Sequence, residues 1–341
     1  MLRVLTMIYN ASLLNYRPPF METLSKALEL YVAYVKGTPP AWSKLHYHRV
    51  DQHNVLNDIF VLNSKYGFDA VYALDGIFYE TIAYRLWRKL KIPYVIRLRT
   101  NELMLRKVLG EFPLRTWFWH QTHKFVLRHA SAISCISHAL LVYSKRVTKN
   151  KVPVKLIYHG VDANVFKRTQ SHKLDNLLTV GLRKYKGADL VLEIARSLPH
   201  INLLIVGVAE DRYVRQAPPN VIHLGRIMHR DMPRVYEKAF LTLLPSLTEG
   251  LPNTILESMA CETPVIASAV GEIPHVLKPD IGIVLRSWRA SDWIGKINEL
   301  LSDVDRVKEM GKRARNYVVK NFTWGKYVED TRTLLENVVK K

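Results

Sequence analysis

Apolar residues recur along this chain in short bursts separated by segments of amphipathic spacing, and the bursts set the predicted elements. Leu2 to Ile8, Tyr31 to Val35, Ala70 to Leu74, Tyr94 to Leu98, Ala132 to Cys135 and Val154 to Tyr158 have the length and composition of buried strands. Between them, Phe20 to Leu30, Val55 to Lys65, Phe78 to Lys89 and Leu114 to His129 read as helices, and Ser137 is placed to cap one more. The alternation restarts at Leu177 to Gly181 and continues with strands at Asn202 to Gly207, Val221 to Leu224, Phe240 to Leu244, Val265 to Ala267 and Ile281 to Val284. Helices are expected at Ala188 to Ser197, Met232 to Lys238, Ala290 to Leu301, Val304 to Val319 and Thr323 to Val339. Strands alternating with helices in two runs predict an α/β protein of two doubly wound, Rossmann-like domains, each a parallel sheet covered on both faces. A turn at His159-Gly160-Val161-Asp162 and the polar run Lys167 to Asn176 separate the runs. We therefore expect an N-terminal domain over 1–168 and a C-terminal domain over 169–322, with the last helix, 323–341, packing back on the first. Ligands should lie outside the carboxyl ends of the strands, with the cleft between the facing sheets as the active site.

Composition narrows the class. The 341 residues suit two cores rather than one. No apolar run approaches the roughly 18 to 20 residues of a membrane span, and no cleavage pattern follows Met1 to Leu14, so a cytoplasmic protein is expected. Cys135 and Cys261 lack metal-ligand spacing and fit buried thiols of a reducing compartment. The net charge is +20, and residues 1–168 hold 25 Lys and Arg against 10 acids. Such a field attracts nucleic acid, anionic lipid or a phosphorylated substrate. A basic nucleic-acid-binding protein is one reading of it, but no aromatic-glycine RNA motif, finger spacing or basic repeat is present, so nucleic acid is not the expected partner. No G-x-G-x-x-G follows either first strand, which argues against a nicotinamide enzyme.

The chemistry concentrates in Pro245-Ser246-Leu247-Thr248-Glu249-Gly250-Leu251-Pro252-Asn253-Thr254-Ile255-Leu256-Glu257 and the Ser258-Met259-Ala260-Cys261 that follows. It joins an apolar strand to a helix predicted to begin near Asn253, because proline is tolerated in a first turn where its missing N–H has no intrahelical partner. The amides of Asn253, Thr254 and Ile255 are then free to meet an anion. Glu249 on the turn and Glu257 just inside the helix are placed to accept hydroxyl hydrogen bonds, a combination that suits a nucleotide sugar. Gly181-Leu182-Arg183-Lys184-Tyr185-Lys186-Gly187 follows the first strand of the second run. Its glycines, Gly181 among them, permit close backbone approach, and Arg183 and Lys186 are placed to meet a diphosphate; by itself the loop equally reads as a solvated basic turn.

From Val154 to Val276 the chain resembles the family 4 retaining glycosyltransferases of the GT-B fold, glycosyltransferase group 1. The resemblance rests on Tyr158-His159-Gly160-Val161-Asp162, the Arg183/Lys186 loop, Leu204-Ile205-Val206-Gly207, Leu224-Gly225-Arg226 and the ordered run from Pro245 to Ser268. It implies that Glu257 accepts from the ribose diol of a nucleotide diphosphate sugar and Glu249 from the donor sugar. Arg183 and Lys186 would neutralise the leaving diphosphate, aided by the amides from Asn253 to Ile255, and Gly181, Gly250 and Leu251 would join them in binding the donor. It further implies retention of the anomeric configuration without an essential metal or other cofactor, and transfer to a glycan or lipid-linked acceptor. A glycan phosphorylase of related architecture is the alternative, and would carry pyridoxal phosphate on a lysine.

The first run departs from the family pattern. The loop Tyr9 to Arg17 contains no glycine, where many members have a pair. After the Tyr94 to Leu98 strand, where many carry a histidine near the donor sugar, Arg99 stands nearest; it reads as a donor contact or as an ion-pair partner. Asp75-Gly76 either lines the acceptor side or makes a turn. Leu103 to His129 mixes Trp117, Phe118, Trp119 and Phe125 with Arg106, Lys107, Arg115, Lys124 and Arg128. The simpler expectation is a core helix that turns its aromatics inward; the other is contact with an anionic membrane surface at its inner face. Asp303-Val304-Asp305 has the form of a metal motif but sits where a helix cap and first-turn acids are expected.

Overall fold

The structure is a computed structural model that describes residues 1–11, 20–40, 45–74, 76–100, 105–106, 108–111, 113–169 and 176–340. Asp75, most of the Tyr9 to Arg17 loop, Lys107 and residues 170–175 of the expected linker lie outside the described residues. The chain divides into two compact units: Met1–Leu103, Glu111–His159 and Trp324–Lys341 form one, and Met104–Gly110 with Gly160–Thr323 the other.

The first unit contains β1 (Arg3–Asn10), α1 (Phe20–Leu24), β2 (Glu29–Lys36), β3 (His46–Arg49), α2 (Val55–Tyr66), β4 (Ala70–Ala73) and α3 (Ile77–Leu90). It continues with β5 (Tyr94–Leu98), α4 (Pro113–His129), β6 (Ala132–Cys135), α5 (His138–Thr148) and β7 (Val154–Leu156). The strands run parallel in the order β3-β2-β1-β4-β5-β6-β7. Every residue of β4, β5 and β6 is buried, as expected of central strands covered on both faces.

The second unit holds β8 (Asn176–Leu182), α6 (Ala188–Ser197), β9 (Asn202–Ala209), α7 (Asp211–Arg215), β10 (Val221–His223), α8 (Pro233–Tyr236) and β11 (Leu241–Leu244). After these come α9 (Asn253–Ala260), β12 (Val265–Ser268), α10 (Ile273–Val276), β13 (Ile283–Leu285), α11 (Ala290–Leu301) and α12 (Val304–Asn321). Its parallel sheet has the order β10-β9-β8-β11-β12-β13. Both sheets reverse their direction of winding at one point, between β1 and β4 and between β8 and β11, where a doubly wound sheet opens a ligand crevice at its carboxyl edge.

The last helix, α13 (Trp324–Val339), belongs to the first unit. Tyr327, Leu334, Leu335 and Val338 join Val4, Ile8, Leu24 and Leu28 in that unit's core, and each such burial contributes about 1.5–3 kcal/mol. Lys155 Nζ meets Asp330 Oδ1 at 2.8 Å. The fully buried Arg97 lies over the Tyr327 ring, 5.0 Å from its centroid, and donates from Nη2 to the Ile157 carbonyl at 3.1 Å.

Three expectations are revised, and one strand went unread. The helix read over Phe20 to Leu30 stops at Leu24, because Glu29 to Lys36 pairs residue for residue with β1 and draws Leu30 into the core. The edge strand β3 is polar and only half covered, so no apolar alternation announced it. The inward reading of the α4 aromatics holds for Trp119, which stacks on the buried His123, and fails for Trp117, Phe118 and Phe125, which are exposed at 54%, 59% and 45%. The helix read over Met232 to Lys238 is the four-residue α8, entered through Pro233. Asp303, by contrast, caps α12 by accepting from the Arg306 amide at 3.0 Å, and exposed Asp305 pairs with Lys308. Among the described residues, no helix is long and apolar enough to cross a membrane.

Candidate active site

Strands β8 and β11 are hydrogen-bonded neighbours at the reversal point of the second sheet, so the loops leaving their carboxyl ends meet. Gly187 governs that meeting. It lies at φ +76°, and a Cβ there would fall 1.9 Å from the Pro245 carbonyl oxygen, so only glycine permits the contact. The Leu247 amide closes the same junction by donating to the Tyr185 carbonyl at 2.8 Å. Lys186 is thereby held against the Glu249 loop, and its Nζ lies 2.6 Å from Glu249 Oε1 with both side chains largely buried. On the other side, a Cβ at Gly271, φ +57°, would fall 2.2 Å from the Glu249 carbonyl oxygen. The Glu272 amide donates to Gly250 at 2.8 Å there, and Leu251 is buried just beyond.

The helix begins where Pro252 places it. Pro252 is extended and α9 starts at Asn253, which is half-buried, with Thr254 buried behind it. One expectation is corrected here: the Ile255 amide is occupied, donating to the Pro252 carbonyl at 3.2 Å, so the open end of α9 is formed by Asn253 and Thr254. One turn into the helix, Glu257 is buried and both its oxygens are engaged. Oε1 lies 2.9 Å from His229 Nε2, and the Tyr236 hydroxyl donates to Oε2 at 2.9 Å. Burial first, and the neighbouring Glu257 carboxylate second, hold the Tyr236 phenol well above its ordinary pKa, so it stays protonated as a donor. Phe166 packs against both partners, with ring centroids 5.0 Å from His229 and 6.2 Å from Tyr236.

The remaining residues are placed less directly. Arg183 is extended and half-buried at the head of the turn Lys184–Lys186, and its side chain hydrogen-bonds no described residue. Gly181, φ +84°, sits at the irregularity between Val180 and Leu182 in the pairing of β8 with β9. Arg99 follows β5 and belongs to the first unit. His229 and Tyr236 were not anticipated: they stand 28 and 21 residues before Glu257, and no spacing in the chain marks them as its partners.

At one sheet edge, then, lie a carboxylate–ammonium pair, a guanidinium, a helix N-terminus with open amides and a second carboxylate held by two donors. Cations and amides of this kind accommodate phosphates, and the carboxylates accept from hydroxyls.

Comparison with known proteins agrees. Residues 161–317 match the family described as "Glycosyl transferases group 1". An uncharacterized glycosyltransferase from Methanocaldococcus jannaschii is 23% identical over 279 residues, covering 80% of this chain and 76% of that protein. D-inositol 3-phosphate glycosyltransferases match over shorter stretches, with the chain spanning 30% to 45% of their length. Among solved structures, sucrose-phosphate synthase from Thermosynechococcus elongatus superposes with a TM-score of 0.84 at 17% identity over 100% of both chains. Anabaena HepE in complex with UDP and glucose gives 0.81 at 15% identity, over 98% of this chain and 100% of that one. These two likenesses establish the GT-B fold expected from the sequence. The family match covers the stretch that holds both acids and Lys186, so residues 161–317 form a glycosyl transferases group 1 segment, and the chain is a glycosyltransferase.

Proposed function

We propose that this protein is a cytoplasmic, retaining enzyme that transfers a sugar from a nucleoside diphosphate sugar to a glycan or lipid-linked acceptor without an essential metal. The observation that carries the reading is the 2.6 Å pairing of Lys186 with Glu249 beside the open end of α9. A bound donor would exchange that internal pair for two better-matched contacts, ammonium to diphosphate and carboxylate to sugar hydroxyl. Arg183 would add a planar fork to the same diphosphate, with the Gly250-Leu251 turn and the Asn253 and Thr254 amides behind it. Glu257, held by His229 and Tyr236, keeps lone pairs for the ribose diol. Charge developing on the departing phosphate oxygen would meet cations and dipoles already in place, and that oxygen would take the acceptor's proton on the same face. Anabaena HepE, described in complex with UDP and glucose, supports a uridine nucleotide as the first donor to try.

A screen of nucleotide sugars by thermal shift and by hydrolysis without acceptor tests the reading. Glu249→Gln and Glu257→Gln should each lower donor turnover by roughly 10- to 100-fold, the equivalent of losing a hydrogen bond to a charged group worth about 1.5–3 kcal/mol, while the thermal midpoint without ligand holds. Full activity in both variants, or release of sugar phosphate rather than nucleotide, would overturn it.

A further inference from the structure

Helices α3, α4 and α5 pack side by side on the first sheet: Phe125 of α4 meets Tyr84 of α3, and His123 of α4 stacks on Tyr143 of α5. His123 Nδ1 also lies 2.8 Å from Glu80 Oε2, with both groups buried, and Trp119 stacks on the same imidazole at 4.9 Å. The pairs Glu80–His123, Tyr84–Phe125 and Trp87–His129 advance together, so α3 and α4 run parallel. Leu114 to Phe118 therefore lies beyond the first residue of α3, at the carboxyl edge of the sheet.

The outer face of this layer is unusual in two ways. Leu114, Trp117, Phe118 and Phe125 fall on one side of α4 at spacings of three, four and seven, and all are exposed, joined by Phe78 of α3 and Val142 of α5. Across the three helices there are eight Lys and Arg and a single acid, Glu80, which is buried against His123. Arg85, Arg88 and Lys89 of α3 and Lys145 and Arg146 of α5 are exposed on either side of the aromatic row. An aromatic row with cations on both flanks and no exposed acid complements a surface that is apolar beneath and anionic above. A second copy of the chain would bring like charge against like charge across this face.

We propose that the outer face of α3, α4 and α5 docks on an anionic lipid bilayer, with Trp117 and Phe118 entering the headgroup region. The inference rests on the lipid-linked acceptor proposed above for its purpose, since docking would set the sheet's carboxyl edge beside the bilayer, but not for its evidence. The full chain should sediment with vesicles of phosphatidylcholine and phosphatidylglycerol, stay in solution with phosphatidylcholine alone, and be released by salt. Trp117→Ser combined with Phe118→Ser, and separately Arg88→Glu combined with Lys89→Glu, should each weaken sedimentation by about tenfold or more. Thermal shift by the nucleotide sugar, read in the same variants, reports that the fold and the donor site persist. Equal sedimentation of wild type and both variants, or none with the anionic vesicles, overturns the proposal, as does an effect of the variants on self-association or RNA retention instead. Vesicle binding without donor binding would leave docking intact and defeat the transferase reading; the reverse would defeat docking alone.

Discussion

Glu257 illustrates what a binding carboxylate needs beyond its own identity. With one oxygen fixed by His229 and the other by Tyr236, its plane is set before any ligand arrives, so little orientational freedom is lost on binding. Tyr236→Phe removes one of those anchors without changing the ring, and leaves a buried oxygen short of a partner. Donor KM should rise by roughly tenfold, the cost of about 1.4 kcal/mol, with kcat nearly unchanged because Tyr236 touches no reacting atom. Steady-state kinetics over a donor series checks this, and an equal fall in kcat would point to a general structural defect. The two acids and Lys186 were legible in the chain because a strand, a turn and a helix start place them in a recognisable order. Their supporting partners were not, since Tyr236 on α8 and His229 on the turn before it reach Glu257 only through packing against α9.

At the scale of elements, the site depends on two loops pressed closer than side chains allow. Gly187→Ala would set a methyl group inside the Pro245 carbonyl, and should cost about 3 kcal/mol or more by backbone strain and displacement together. Gly225→Ala serves as its comparison, because Gly225 has a similar φ, +69°, and nothing within 4 Å of the added carbon; it should cost only about 1 kcal/mol. Urea unfolding of the two variants separates strain from collision, and equal midpoints would show that the junction yields. Periodicity located α6 and α11 to the residue, since each presents an uninterrupted apolar stripe to one sheet. It misjudged Phe20 to Leu30 because a buried parallel strand and a buried helix segment are both simply apolar over so few residues. It placed the α4 aromatics inside because sequence records their hydrophobicity, not which side of the helix the sheet occupies.

The molecule as a whole ionises unevenly. Burial, more than any neighbour, raises the phenols of Tyr94, Tyr236 and Tyr327 above their ordinary value of 10.0. A folded state that keeps protons which the unfolded chain gives up is fully stabilised by them below pH 10 and loses that stability as the pH climbs higher. Denaturant midpoints should therefore fall steeply above about pH 10, and Tyr94→Phe should flatten the descent; an unchanged slope would show that the native phenols ionise freely. The path of the backbone carries another consequence. Because the core beneath β1 is completed by Leu334, Leu335 and Val338, the strands of the first unit wait during synthesis for a helix made after the second unit, most of which, from Gly160 to Thr323, is a single stretch of chain. During synthesis the early strands must remain open until translation has passed α13, and a nascent chain halted before Trp324 would expose the floor of its own first sheet to chaperones.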